Sequence, residues 1–294
     1  MYDGQYFLAL SELEQASALY DESADSRLAF RYGYDPGLVA LWWTAYMQWE
    51  TGALNQALGS CDRALGLGRR IGHPYSLASS LGWTVDLAYF MWLPERILQY
   101  AGELMDVAQR YSFSQLQAMG SFQYGWALTQ NGSYEIAIEH MTRGLDQYKT
   151  LGAAAVVVPR MTAQLASVYG QAGRAEEGLR VLQSSPDRVP GRKRVRYAEI
   201  SRIEGELHLL KRYPDPVEAE KFFEEAIEIA IEDQARAKQL RAVTSLAKLW
   251  QSQGKIKEAR ELLEPIYESF TEGFDMPDMK NAKTLLESLD SRAL

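Results

Sequence analysis

The side chains able to do chemistry are few and far apart. His73, His140 and His208 are the three histidines, and no H-x-x-x-H spacing or cysteine pair accompanies any of them. A metal site needs ligands that converge, so none is expected. Cys61 is the single cysteine; three residues before Ala64 on an apolar helix face, it reads as a small packed residue rather than a nucleophile. Gly254-Lys255 is followed by Ile256 and lacks the hydroxyl that a phosphate-bound magnesium uses. Gly66-Leu67-Gly68 with Gly72 has the wrong spacing for a dinucleotide loop and no strand before it, so it reads as a helix end. Asn131-Gly132-Ser133 fits a glycosylation acceptor pattern but also a turn. Glu176-Glu177 and Glu224-Glu225 are adjacent carboxylates that point apart on a helix. Catalysis would need a closed pocket around Asp86 or Glu204, which nothing else in the sequence supports. The expectation is a protein that is not an enzyme and has no cofactor.

Composition narrows the class further. The chain has 294 residues, 47% hydrophobic and 24% charged, as a folded protein has. Its net charge of −8 argues against a nucleic-acid partner, because phosphate neutralisation needs a basic surface. A short basic run, Arg192-Lys193-Arg194 with Arg196, reads as a solvated loop. The longest apolar candidate, Leu38 to Trp49, is broken by Thr44 and Gln48 and falls short of the ~18 residues a membrane span requires. The N-terminus MYDGQYFLALSELEQ lacks a basic segment followed by an apolar one. A lone cysteine fits a reducing compartment, so a cytoplasmic location away from membranes is expected.

The positional pattern explains what the chain builds. Turn positions recur at Gly4, Gly52, Trp92, Gly132, Gly173, Pro214 and Gly254, at steps of 48, 40, 40, 41, 41 and 40. Five residues after each stand Ala9, Ala57, Ile97, Ala137, Gly178, Ala219 and Ala259. Seven before stand Ala45, Val85, Gly125, Ala166, Leu207 and Ala247. Small residues at fixed offsets mean that two backbones approach closely at the same place in every unit. The flanks are helical: Ala259, Leu262, Leu263, Ile266, Tyr267 and Phe270 trace one face at helical spacing. A helix–turn–helix unit cannot bury its stripe alone, so neighbours must stack. The fold expected is all-α, a right-handed solenoid of about 40-residue hairpins of the tetratricopeptide type, against the 34 usual there; HEAT-like packing is the rival. The hairpins span 36–72, 74–111, 113–151, 155–186, 194–233 and 235–272. A partial first repeat covers 1–20 and a capping helix 277–289.

The segment SLAKLWQSQGKIKEARELLEPIYESFTEGFDMPDMKNAKTLLESL, Ser245 to Leu289, resembles the C-terminal end of the tetratricopeptide region in large bacterial regulators that join a class III nucleotide cyclase domain to an AAA-type ATPase module. YDPGLVALWWTAYMQWETG and GHPYSLASSL resemble earlier repeats of that region. The resemblance implies an accessory role beside a catalytic portion on the N-terminal side. It carries over no catalytic residue.

In such an array the first helix of each hairpin lines a concave groove. The groove positions are Val39, Trp42, Tyr46 and Trp49; Asp86 and Tyr89; Met119, Phe122 and Trp126; then Arg160, Gln164, His208, Lys211, Arg241 and Lys248. One end is aromatic, the other polar to basic, a combination suited to a peptide or partner domain whose apolar anchors sit on the rings. Burying one such ring on binding contributes roughly 2 kcal/mol. Adjacent Trp42 and Trp43 cannot both face inward; Trp43, Trp83 and Trp92 are the expected core members. A small-molecule-sensing array of an ATP-dependent regulator is the alternative.

Overall fold

The computed structural model describes residues 6–152, 157–185 and 197–291. The basic run around Arg192 and the first turn position at Gly4 lie outside them. The helices are α1 (Tyr6–Leu19), α2 (Glu22–Asp25), α3 (Leu28–Tyr32), α4 (Pro36–Thr51), α5 (Leu54–Ile71), α6 (Pro74–Phe90), α7 (Pro94–Arg110) and α8 (Ser114–Leu128). Then follow α9 (Tyr134–Thr150), α10 (Val157–Gln171), α11 (Ala175–Gln183), α12 (Ala198–Leu210), α13 (Pro216–Glu232), α14 (Arg236–Ser252), α15 (Ile256–Glu268) and α16 (Pro277–Asp290). No strand occurs among the described residues.

Local chemistry starts and stops these helices. Proline occupies the first turn of α4, α6, α7, α13 and α16, where its missing N–H leaves no bond unmade. Asp35 and Asp215 accept hydrogen bonds from the backbone N–H of Leu38 and Glu218, at 2.8 and 3.2 Å, capping α4 and α13. The turns inside the hairpins take the left-handed conformation at Gly52, Trp92, Gly132, Gly173 and Gly254. A second left-handed series links successive hairpins, at Gly72, Ser112, Gly152, Gln234 and Gly273. Pro214 departs from the first series: there the Asp215 N–H reaches back to the His208 carbonyl instead, at 3.0 Å.

The small residues lie where paired helices cross. A methyl group on Gly178 would sit 2.6 Å from the Ala166 carbonyl oxygen, and one on Gly125 would sit 3.0 Å from that of Ala137. These are the −7 and +5 positions of their hairpins, and Ala57, Ala137, Ala219 and Ala259 are completely buried. From α4 onward each helix packs on its sequence neighbours, while α1 packs on α4; α4, α6, α8, α10, α12 and α14 also touch one another in a row. That arrangement is consistent with a helical solenoid whose alternate helices form the inner wall.

The row comes back on itself, because α14 touches α4. Lys238 of α14 pairs with Glu50 of α4, and Arg241 donates to the Phe90 carbonyl oxygen at the end of α6. Beyond α15, Glu272 accepts hydrogen bonds from the N–H groups of Asn55 and Gln56 at 3.1 and 3.2 Å, capping α5 from 217 and 216 residues away. Phe270 lies over Gly52, where an added methyl would come within 2.9 Å of the ring. Tyr6, Met47 and Ala235 pack together beside this seam.

Replacing Gly52 and Gly132 by alanine separates turn strain from closure. Both hold positive φ, +90° and +72°, but Gly132 has no neighbour for a methyl to strike. In chemical denaturation, Gly132→Ala is expected to cost about 1–2 kcal/mol. Gly52→Ala should cost about 1–3 kcal/mol more, through displacement of Phe270.

Candidate functional site

The inner wall is built from every second helix, and its side chains meet across the ring. On the aromatic side, Trp42 stacks on Trp83 with centroids 5.5 Å apart and planes 8° from parallel. Trp49 stacks on Phe90 at 4.8 Å, Tyr46 lies 5.4 Å from Phe90, and Tyr89 meets Trp126 edge-on at 4.9 Å. Cations close over these rings from the far side. Arg160 sits 4.7 Å above Phe90, while Arg241 lies 5.9 and 5.4 Å from Trp49 and Trp92.

Carboxylates anchor those cations. Asp86 takes Arg160 at 2.9 Å through one oxygen and the Gln123 amide at 2.9 Å through the other. Glu199 holds Arg202 at 2.7 Å and lies 3.8 Å from Arg241, which also binds Asp278 at 2.7 Å; Arg202 reaches Glu206 as well. Burial works against the charge on Arg160, but Asp86 outweighs it and holds the guanidinium above its ordinary range. Burial likewise opposes ionisation of Glu199; Arg202 and Arg241 overcome this and keep its carboxyl below the usual glutamate value. Burial, reinforced by Glu50, pushes the Tyr46 hydroxyl well above the normal tyrosine range.

The structure brings most of the expected groove residues together, but as interior. Trp42, Trp49, Asp86, Tyr89, Phe122, Trp126, Gln164 and Arg241 are buried, and Val39, Tyr46, Met119, Arg160 and His208 are half-buried. The aromatic end is therefore no open wall, because α14 closes over it with Lys238 and Arg241. Trp43, Trp83 and Trp92, the expected core members, are half-buried and pack against the main core, and Trp42, Trp49 and Trp126 are buried within it. No basic end forms. Arg241 is consumed by Asp278, Glu199 and the Phe90 carbonyl, Lys211 lies 3.5 Å from Asp215, and Lys248 is exposed apart from them. Phe90, Glu50, Glu199, Arg202 and Lys238 were missed in the sequence; polar side chains on otherwise inward helix faces were the available signal.

Several sealed polar atoms on this wall lack a hydrogen-bond partner. They include both amide atoms of Gln164, Gln123 Oε1, Arg160 Nη1, Glu50 Oε2 and His208 Nδ1. Each such group costs about 1–3 kcal/mol relative to a satisfied one. Gln123, Arg160 and Gln164 belong to α8 and α10, and Arg160 and Gln164 are one turn apart on one face. The wall thus carries unused hydrogen-bonding capacity beside the Asp86–Arg160 pair. No group of three or more metal-ligating side chains comes together among the described residues. No helix among them is long and apolar enough to cross a membrane.

No family model matches the chain. An uncharacterized protein of Rhizobium meliloti (strain 1021) is 27% identical over 170 residues, a match that covers 57% of this chain and 16% of that protein. The chain spans a small part of that relative's length.

Two outcomes follow from the buried charges. Glu50→Gln leaves Lys238 without its counter-charge and should destabilise the fold by about 3–5 kcal/mol, while Glu50→Leu combined with Lys238→Met should recover most of that loss in urea unfolding. The lowered Glu199 pKa gives the sign of the acid response. Its stabilisation is complete above the unfolded glutamate value of about 4.3 and is lost as pH falls through the lower folded value. Between pH 6 and 3 the wild type should therefore lose more stability than Glu199→Gln.

Proposed function

We propose that this chain is a non-catalytic regulatory module, a right-handed array of tetratricopeptide-like hairpins that binds a peptide or partner domain on its inner helices. In this reading it is the cytoplasmic accessory region of a larger signalling protein of the ATPase or cyclase type, and needs no cofactor. The observation that carries it is the unused polar capacity of Gln123, Arg160 and Gln164 on the inner wall. An extended peptide offers carbonyl and N–H groups that match it. Those atoms are sealed in the closed ring, so a partner enters by displacing the chain's own aromatic and cationic contacts at the seam. The much greater length of the Rhizobium relative supports a role within a larger chain.

A second reading, small-molecule sensing by the array of an ATP-dependent regulator, is favoured by a cavity at the seam between α1, the α4–α5 turn, α14 and the segment after α15.

Peptide capture has a direct test. Peptides enriched from a random display library on the folded chain should bind Gln164→Met at least about tenfold more weakly, although that variant removes two unsatisfied atoms and should be no less stable. Absence of any enriched peptide, or equal binding to the variant, refutes it.

A further inference from the structure

Residues 270–276 join α15 to α16 without helical structure, and the first four of them form a strap across the α4–α5 turn. Phe270 covers Gly52, and Glu272 takes the N–H groups of Asn55 and Gln56 at 3.1 and 3.2 Å. Gly273 lies so close to α5 that an added methyl would sit 2.6 Å from the Leu54 Cβ. It also holds a left-handed φ of +75°, which glycine adopts without cost. The two hydrogen bonds to Glu272 are exposed, so water can take its place there. The rest of the seam is modest. Tyr6, Met47 and Ala235 make a small apolar cluster, and the Lys238–Glu50 pair loses in hydration most of what it gains in attraction. Closure also has an opposing term. Gln123 Oε1, Arg160 Nη1, Glu50 Oε2 and both amide atoms of Gln164 are sealed without partners, and opening the ring returns them to water.

We propose that residues 270–273 are a releasable latch, an autoinhibitory strap that holds the ring shut over its own inner wall. On release, α14, α15 and α16 move away from α4 and α5 together while every hairpin stays folded. Gln123, Arg160 and Gln164 then become accessible. For what the opened wall receives, the latch rests on the peptide-capture reading. It also sets the affinity of that capture: a ligand that needs the open ring binds more weakly in proportion to the fraction of molecules that are closed.

Spin-label distances on the whole chain test it without any ligand. Arg63→Cys on α5 and Lys257→Cys on α15 place labels at exposed positions on either side of the seam. Glu139→Cys on α9 and Arg180→Cys on α11 span an ordinary boundary between hairpins, and the buried Cys61 stays unlabelled. Glu272→Ala should raise the share of long α5–α15 distances about fivefold, the factor that loss of one helix cap supplies, and leave α9–α11 distances unchanged. Glu272→Gln keeps an acceptor oxygen and should resemble the wild type, whereas Phe270→Ala should open the seam as Glu272→Ala does. Peptides retained by the wall should bind Glu272→Ala more tightly by the same factor of about five. Unchanged α5–α15 distances in both Glu272→Ala and Phe270→Ala overturn the latch, whether or not any peptide binds. Equal lengthening between α9 and α11 overturns it too, because that marks general loosening, and unchanged peptide affinity in a widened ring overturns its inhibitory role. Widening with no peptide retained leaves the latch standing and refutes peptide capture alone.

Discussion

Two helices of a hairpin can lie as close as these do only where neither carries a bulky side chain at the crossing. Gly178 against the Ala166 carbonyl and Gly125 against that of Ala137 show how little room remains. The close crossing fixes the angle between paired helices, and the left-handed turn residues fix the handover to the next pair. Repeating one angle some forty residues apart yields curvature, and enough of it returns α14 to α4. The interior follows from that curvature rather than from any local preference.

A closed inner wall changes what its residues can do. Trp49 and Phe90 stack, but Lys238 and Arg241 roof them over, and each roofing cation is itself held by a carboxylate. Such networks contribute little net stability, because desolvation of the ions offsets most of their attraction. Their geometry is nevertheless exacting, since an ion left alone in that setting is severely unfavourable. The seam therefore holds one register between the first and last hairpins.

Much of this was legible in the sequence, and the limits have physical causes. The crossing positions stood out where alanine or glycine occupies them; Val85, Ile97 and Leu207 fill the equivalent places in two of the hairpins. The turns were visible where glycine occupies them; Trp92, Ser112 and Gln234 hold the same left-handed conformation without advertising it. Helical spacing put Asp86, Arg160 and Gln164 on one side of their helices, and the structure has Asp86 and Gln164 buried and Arg160 half-buried. Exposure was not readable, because it depends on residues such as Glu50 and Lys238, which are 188 apart and meet only after the array has curled.

Glu272 caps a helix whose first residues precede it by more than two hundred positions. In a linear stack, a terminal unit frays independently and its loss is felt only next door. Here the segment around Glu272 supplies a bond that the early unit lacks, so the two are coupled directly across the seam. During synthesis the early hairpins can nucleate from local contacts, but α5 waits for its cap until Glu272, more than two hundred residues later, has emerged. Trimming the far terminus should thus be felt at the opposite pole of the sequence, not at the neighbouring hairpin alone.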